Sequence, residues 1–225
     1  MLRSPLDTAF YRVLHAFLPP LFKRVFRMRV TGLEHLPARG PVVLASNHLS
    51  NLDPFFLGVA CPRQIHFMAK AEIWKVPVVG RLVDGLGAFP VHRGQADRRA
   101  VEWALGTLSS GAVLGIFPEG HRSRDGRLGT PQAGVALFSL RKGVTTVPVA
   151  LVGSDQVVRG KRLRLPQVTL TFGPAIDVES AGGSKSERQQ TVTRRLMQSL
   201  AALSGQEFSP VEEGTGTAPD GETIP

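Results

Sequence analysis

Short apolar runs alternate with helix-like segments along most of this chain, and this alternation limits the folds that it can adopt. Apolar runs of strand length predict strands at residues 41–45, 65–69, 112–117, 145–152 and 167–172. Apolar residues at helical spacing predict helices that begin at Asp53 and that cover residues 96–109, 134–141 and 191–203. Strands that alternate with helices favour a single α/β domain with a mixed, mostly parallel central sheet flanked by helices.

Residues 1–30 have a different character, because they are both amphipathic and basic. Bulky apolar residues recur at helical spacing from Leu6 to Phe26, and residues 2–29 hold six basic residues against one acid, Asp7. The Pro19-Pro20 pair predicts two helices rather than one. Such helices lie in the membrane interface and are attracted by anionic lipid, although a helix that packs on a core shows the same periodicity. We expect a membrane-docking segment at 1–30 with anionic membrane lipid as its partner, and no transmembrane helix.

The charge of the chain is strongly basic and unevenly distributed. Lys and Arg outnumber Asp and Glu by 27 to 18, yet residues 204–225 hold five acids and no Lys or Arg. We expect 204–225 to be a disordered acidic tail and 31–203 to be the folded domain. A basic domain predicts an anionic partner, which is a phosphate-bearing substrate, a nucleic acid or an acidic membrane surface. Trp and Tyr total only three residues, which argues against RNA recognition by base stacking.

Several familiar chemistries lack their sequence motif in this chain. The single cysteine, Cys61, excludes an internal disulfide framework and a thiolate-rich metal site, and it favours a reducing compartment. The sequence has no G-x-S-x-G nucleophile elbow, no Walker P-loop and no H-E-x-x-H zinc motif. Because the histidines are also scattered, we expect neither a metal nor a tightly bound cofactor.

A polar segment with a histidine and an aspartate follows the first predicted strand. His48 and Asp53 lie on different faces of any regular helix or strand, so they meet only if the residues between them form a turn. In that case the carboxylate can hold the Nδ1–H of the imidazole and leave Nε2 as a general base. The alternative is that Asp53 caps its helix while His48 is an ordinary turn residue.

Other charged residues follow predicted strands, where α/β folds place ligand sites. Glu119 and Arg122 come directly after the strand at 112–117, where Arg122 suits a phosphate and Glu119 can accept hydrogen bonds from hydroxyls. Lys70 and Arg93 stand near strand or loop ends and add cationic contacts for a phosphate. Taken singly, each group is also consistent with a solvated surface.

Together these segments resemble the glycerophospholipid acyltransferase family, in its 1-acyl-sn-glycerol-3-phosphate acyltransferase branch. The family's His-x4-Asp motif is matched by His48 and Asp53, and its Phe-Pro-Glu-Gly-Thr-Arg-Ser motif is matched at 117–123 with His121 in place of Thr. A Lys-x2-Leu-x6-Gly-x12-Arg motif and a Val-Pro-Val motif are matched at Lys70, Ile73 (in place of Leu), Gly80, Arg93 and 147–149. Relatives commonly have a lysine near Pro131, where this chain has Gln132 and Ala133.

The resemblance implies direct acyl transfer without an acyl-enzyme. His48 would deprotonate the sn-2 hydroxyl of lysophosphatidic acid as it attacks the thioester of acyl-CoA or acyl carrier protein, and Asp53 would orient His48. Glu119 would hold or position an acceptor hydroxyl. The phosphate and glycerol groups of the substrate would be bound by Lys70, Arg93, Glu119, Gly120, Arg122 and Ser123. The product would be phosphatidic acid, made by a peripheral, monotopic enzyme at the cytoplasmic face of the cell membrane.

Two other functions are compatible with these residues. One is acylation of a different acceptor, such as glycerol 3-phosphate, a lysophospholipid with a larger head group or a lyso-aminolipid. The other is a non-catalytic basic protein that binds membranes through its amphipathic segment. The acyl-chain length, the choice of donor and the role of His121 all depend on three-dimensional packing.

Overall fold

The computed structural model describes residues 16–91, 97–132, 134–159 and 162–208. The strands in these residues are β1 Arg29–Thr31, β2 Val42–Ser46, β3 Ile65–Lys70, β4 Phe89–Val91, β5 Val113–Ile116, β6 Thr145–Val152, β7 Val158–Arg159, β8 Arg162–Leu163 and β9 Thr169–Phe172. Seven of them form one sheet in the order β1-β9-β6-β2-β5-β3-β4, and β7 and β8 form a separate hairpin. All the strands predicted from the sequence are therefore present.

Helices cover both faces of the sheet. Helical backbone runs over residues 16–25 (α1), and the other α-helices are α2 Asp53–Ala60, α3 Pro77–Leu86, α4 Arg98–Ser109, α5 Gly134–Ser139 and α6 Lys185–Ser204. Short 3-10 helices occupy Leu33–His35, Ala71–Lys75 and Ser154–Gln156. The expected α/β domain with a mixed, mostly parallel sheet is confirmed.

Strand direction brings the ends of several strands to one side of the molecule. The pairs β2–β5, β2–β6, β3–β5 and β3–β4 are all parallel. Strand β9 is antiparallel to β6, and β1 is parallel to β9, so these two strands run the other way. We call the side at which β2, β3, β5 and β6 end the carboxyl edge of the sheet. In α/β folds this edge is where ligands bind.

Alternate residues of the central strands pack into two separate cores, because successive side chains of a strand point to opposite faces of the sheet. Val42 and Leu44 of β2 pack in a core with Phe56 and Leu57 of α2, against which α1 also lies. On the other face, apolar residues of β2 and β5 pack with α4, α5 and α6, through Val43, Ala45, Leu114, Ile116, Ala104, Val135 and Leu196. All five residues of β2 are buried, as the apolar run predicts for a strand covered on both faces.

The prediction that Pro19-Pro20 separates two helices is wrong for the described residues. Helix α1 passes through both prolines without a break from residue 16 to residue 25. The fixed φ of proline, about −65°, is itself a helical value, so both prolines are compatible with helical backbone at these positions. Residues 1–15 and 209–225, which hold half of the predicted docking segment and most of the predicted tail, lie outside the described residues. Across the part of the chain that is described, no helix is long and apolar enough to cross a membrane.

Candidate active site

The imidazole of His48 and the carboxylate of Asp53 form a hydrogen-bonded pair at the carboxyl edge. His48 Nδ1 lies 2.8 Å from Asp53 Oδ2, and Asp53 is fully buried. The same carboxylate oxygen accepts the backbone N–H groups of Leu49 and Ser50, each at 2.7 Å. These two contacts close the turn after β2 and bring the start of α2 back to His48. The turn that the sequence required for a His–Asp pair is present.

A stacking contact with Phe117 also restricts the orientation of the His48 ring. The ring of Phe117, which follows β5, stacks on the His48 ring with centroids 4.0 Å apart and an angle of 18° between the planes. Asp53 holds Nδ1 within the plane of the ring, while Phe117 restricts the ring from one face. In the tautomer in which Nδ1–H donates to Asp53, Nε2 carries the free lone pair of the ring.

Glu119 is buried beneath the pair and holds main chain. Its Oε1 accepts the backbone N–H of His48 at 3.0 Å, and its Oε2 accepts the backbone N–H of Gly129 at 2.8 Å. Burial raises the pKa of Glu119 above the ordinary carboxyl value, although both backbone hydrogen bonds act in the opposite direction. Through these main-chain contacts Glu119 positions the backbone of His48, while its expected contact with an acceptor hydroxyl stays a prediction.

A cavity of about 1350 Å³ opens beside His48. Its apolar part is lined by side chains from α1, α2, β3 and α3, including Leu18, Phe22, Phe55, Val59, Ile65, Phe67 and Val83. Gly58 of α2 also lines it, and a Cβ built on that glycine would meet no atom within 4 Å. His48 and Phe117 line the same cavity, together with polar residues that form its mouth.

The polar mouth is mostly cationic. It is formed by Lys70, His121, Arg122, Ser123, Arg124, Asp125 and Arg127. Lys70 Nζ lies 3.5 Å from the carboxylate of Glu72, and both side chains are about half exposed, at 52% and 53%. Such a surface pair is weak, so an anionic ligand can compete for the ammonium group. The structure thus brings Lys70, Arg122 and Ser123 to the cavity, whereas Arg93 lies outside the described residues.

Gly120 and Ser123 shape the loop that carries Arg122. Gly120 has a φ of 70°, and a Cβ there would lie 3.0 Å from Cγ of Gln132, so glycine suits this position on both counts. The backbone N–H of Ser123 donates to the carbonyl oxygen of His48 at 2.8 Å. The Ser123 hydroxyl lies 3.2 Å from Asp125 Oδ1 and accepts the N–H of Gly126. The loop is therefore tied directly to the His48 turn.

The chain segment after α6 also supports this site, and this role was not predicted from the sequence. Asn47, next to His48, is fully buried, and its Nδ2 donates to Gln206 Oε1 at 2.6 Å. Gln206 Nε2 in turn donates to the carbonyl oxygen of Gly126 at 2.8 Å. Gln206 thus links the His48 turn to the Arg122 loop. No sequence signal pointed to it, because Gln206 lies inside the segment 204–225 that is predicted to be a disordered tail, and a glutamine there belongs to no motif.

Potential metal ligands do not cluster in the described residues, where no group of three or more His, Cys, Asp and Glu side chains is placed to hold a metal ion. The site consists of a His–Asp pair at a cavity that is lined by apolar and by cationic side chains. Such a site is typical of an enzyme that activates a hydroxyl group on a substrate with an apolar chain and an anionic head.

Comparison with known proteins gives the family. A family model described as Acyltransferase matches residues 27–152, and the chain belongs to this acyltransferase family. The chain is 30% identical over 179 residues to a 1-acyl-sn-glycerol-3-phosphate acyltransferase of Bacillus subtilis, covering 78% of this chain and 87% of that protein. It is 31% identical over 157 residues to a chloroplastic 1-acyl-sn-glycerol-3-phosphate acyltransferase of Arabidopsis thaliana, covering 65% of this chain. The matched region spans 43% of the Arabidopsis protein, which is less than half of its length.

The fold is also that of a solved structure. The crystal structure of the 1-acyl-sn-glycerophosphate (LPA) acyltransferase PlsC from Thermotoga maritima superposes with a TM-score of 0.68 at 22% sequence identity. The match covers 90% of this chain and 84% of that chain. The similarity therefore extends well beyond the segment with the motifs and shows that the two chains share one architecture.

Proposed function

We propose that this protein transfers a fatty acyl group from acyl-CoA or acyl carrier protein to the sn-2 hydroxyl of lysophosphatidic acid, with phosphatidic acid as the product. The observation that carries the proposal is that His48, paired with Asp53, lines a cavity that has both apolar and cationic side chains in its wall. The names of the Bacillus and Arabidopsis relatives support the same reaction.

The chemical step uses His48 as a general base. Nε2 takes the proton of the sn-2 hydroxyl while the hydroxyl oxygen attacks the thioester carbonyl carbon. The carbon–sulfur bond then breaks, and the thiolate takes the proton back from His48 to leave as a thiol. Asp53 stabilises the imidazolium that exists between these two transfers, since its buried carboxylate accepts the Nδ1–H at 2.8 Å. Glu119 and Phe117 hold His48 in place during the step.

Substrate binding divides between the two parts of the cavity. We assign the acyl chain to the apolar part lined by α1, α2 and α3. The phosphate of the acceptor occupies the mouth, where the Arg122 guanidinium and the Lys70 ammonium supply charge-assisted hydrogen bonds. The fully charged phosphomonoester distinguishes this acceptor from neutral lipids.

Helix α1 supports membrane association of the enzyme. Leu18 and Phe22 face the protein, whereas Phe17 and Leu21 are 72% and 53% exposed. Arg24 is exposed on the same side as Phe17 and Leu21, which is the pattern of a helix that lies in the membrane interface. We place the enzyme peripherally on the cytoplasmic face of the cell membrane, where anionic lipid attracts the basic domain.

The test of the proposed function is an acceptor panel with the purified protein in detergent. Thiol release from palmitoyl-CoA is measured with lysophosphatidic acid, glycerol 3-phosphate or lysophosphatidylethanolamine, and the lipid product is identified by mass spectrometry. A parallel series uses palmitoyl-acyl carrier protein as donor. We expect release that depends on lysophosphatidic acid, together with phosphatidic acid. Release only with another acceptor would contradict the head-group assignment, and no release with either donor would contradict acyl transfer.

The phosphate assignment has its own test, in which Arg122→Gln is compared with Arg141→Gln. Both arginines are exposed, but Arg122 lines the cavity and Arg141 does not. A hydrogen bond to a charged group contributes about 1.5–3 kcal/mol, so we expect KM for lysophosphatidic acid to rise about 10- to 100-fold in Arg122→Gln. An equal effect of both variants would contradict the assignment.

A further inference from the structure

The connection from β6 to β9 contains a short hairpin that presents apolar side chains to solvent. In this hairpin, β7 and β8 are antiparallel, with Val158 opposite Leu163. Val157 is completely buried, so Val158 points the other way and is 52% exposed. Leu165, just beyond β8, is 53% exposed. A two-stranded hairpin normally covers its apolar residues, and these exposed positions therefore indicate a contact with another apolar phase.

The same hairpin is strongly basic. Between Val157 and Leu165 the sequence has four basic residues and no acid. Arg162 and Arg164 are exposed, while Lys161 lies outside the described residues. The nearest carboxylate in the preceding sequence is that of Asp155. Exposed apolar residues next to arginines match the chemistry of an anionic bilayer, which offers acyl chains beneath a layer of phosphates.

The position of the hairpin puts it on the side of the molecule that substrate lipids must approach. It follows Val152, the last residue of β6, and so lies at the carboxyl edge together with the His48 turn. Strand β1 enters the sheet at this edge, because Arg29 pairs with Thr169, which in turn pairs with Val152. Arg27, which follows α1, donates a hydrogen bond from Nη2 to the Leu165 carbonyl oxygen at 3.2 Å. The hairpin and the end of α1 are thus in direct contact.

We propose that the β7–β8 hairpin is a second membrane contact, which binds anionic lipid beside α1 and holds the cavity mouth against the bilayer. Val158 and Leu165 insert among the acyl chains, and the arginines bind lipid phosphates. Contacts at both α1 and the adjoining hairpin fix the orientation of the protein on the membrane, whereas a single amphipathic helix leaves it free to pivot. This inference rests on the proposed function, because a lipid acceptor has to pass from the bilayer into the cavity.

The charge part of the proposal is tested with a pair of matched double variants. Arg162→Ala/Arg164→Ala removes two charges at the hairpin, and Arg39→Ala/Lys142→Ala removes two exposed charges ahead of β2 and β6, on the opposite side of the sheet. Full-length proteins are sedimented with vesicles of phosphatidylglycerol and phosphatidylcholine, and with phosphatidylcholine alone. Each basic residue near an anionic surface changes affinity about fivefold, so we expect the hairpin variant to bind the anionic vesicles about 10- to 30-fold more weakly. Equal binding by the two double variants would overturn the proposal.

The apolar part is tested with Leu165→Ser against Leu33→Ser. Leu33 is 37% exposed and lies beyond the end of β1, away from the carboxyl edge. We expect Leu165→Ser to lose about tenfold in vesicle affinity and Leu33→Ser to behave as wild type, since burying a leucine side chain contributes at least that factor. No loss with Leu165→Ser would overturn insertion.

The failure of this inference can be separated from failure of the proposed function. The same variants are assayed with a short-chain, water-soluble lysophosphatidic acid and acyl-CoA in the absence of vesicles. We expect wild-type turnover there, because none of the changed residues lines the cavity. If the hairpin variants show normal turnover and undiminished vesicle binding, the hairpin is not a membrane contact and the proposed function still stands. A wild-type protein without turnover would remove the proposed function, whatever the vesicles show.

Discussion

The buried carboxylate of Glu119 accepts the backbone N–H of His48 at 3.0 Å, so a residue that follows β5 fixes the main chain of a residue that follows β2. These two strands are neighbours in the sheet, with Ala45 of β2 paired to Ile116 of β5. The contact joins the His-x4-Asp segment to the segment that carries Arg122. The contact therefore holds the His48 turn and the Arg122 loop close to each other.

Glu119→Gln changes how stability depends on pH. Burial raises the pKa of Glu119 above 4.5, so the folded state binds this proton more tightly than the unfolded chain. The folded state loses stability as pH rises through the window between 4.5 and the raised pKa. The variant lacks this titration. We therefore expect the difference in unfolding free energy, wild type minus variant, to become smaller as pH rises through the window. Urea unfolding of both proteins at a series of pH values measures this difference in unfolding free energy. A difference that does not change with pH would contradict the raised pKa.

Asp53→Asn keeps the shape of the pair but removes its charge. The amide oxygen can still accept the backbone N–H groups of Leu49 and Ser50, so we expect the variant to fold. Without the carboxylate, the imidazolium of His48 loses its partner, and kcat should fall about 10²- to 10⁴-fold with little change in KM. Steady-state kinetics measures both constants, with the exposed Asp155→Asn as control. An unchanged kcat would show that Asp53 serves only as a structural residue of the turn.

Gln206→Leu removes the two side-chain hydrogen bonds that Gln206 makes with Asn47 and with the Gly126 carbonyl oxygen. We expect a loss of about 1–3 kcal/mol in unfolding free energy, because the buried amide of Asn47 loses one of its two acceptors and keeps only the Leu151 carbonyl oxygen. We also expect a fall in kcat with partial rescue by Gln206→Glu, which keeps an oxygen for Asn47. Exposed Gln167→Leu is the control in denaturation and turnover assays. Lower stability with normal kcat would limit Gln206 to a structural role.

Gly58→Leu places a side chain inside the apolar part of the cavity. A Cβ at Gly58 meets nothing within 4 Å, so the leucine can extend into space that we assign to the acyl chain. Each methylene that loses its buried place costs about 0.8 kcal/mol, and displacing two should shift the preference from long to shorter donors about tenfold. Turnover with a series of acyl-CoA donors of different chain length measures this preference. The control is Gly106→Leu, at an exposed position on α4 where a Cβ also meets no atom within 4 Å. A parallel loss for every chain length would contradict the assignment.

The sequence was most informative where chemistry depends on local spacing. The five-residue separation of His48 and Asp53 required a turn, and the turn is there, closed by the two N–H groups that Asp53 accepts. Arg122 was expected after a buried strand and follows β5. Such features follow from apolar runs and from the residues directly after them.

Contacts between distant segments could not be predicted in this way. Gln206 is 159 residues from Asn47, and no local pattern records their hydrogen bond. The burial of Glu119 depends on Gly129 closing over it, which a strand-ending glutamate does not reveal. Strand β4 was missed because it contains Pro90, a residue that weakens a strand prediction but is tolerated here at the end of the sheet.

The most direct measurement of the central claim is thiol release from palmitoyl-CoA by wild type, His48→Ala and His35→Ala, with and without lysophosphatidic acid. His35 is the control because its Nδ1 bonds to the Phe172 carbonyl oxygen, away from the cavity. Our account predicts release that requires lysophosphatidic acid, survives in His35→Ala and falls by at least about 10²-fold in His48→Ala, with vesicle binding unchanged. Release by His48→Ala at the wild-type rate would contradict the assignment of His48 as the base.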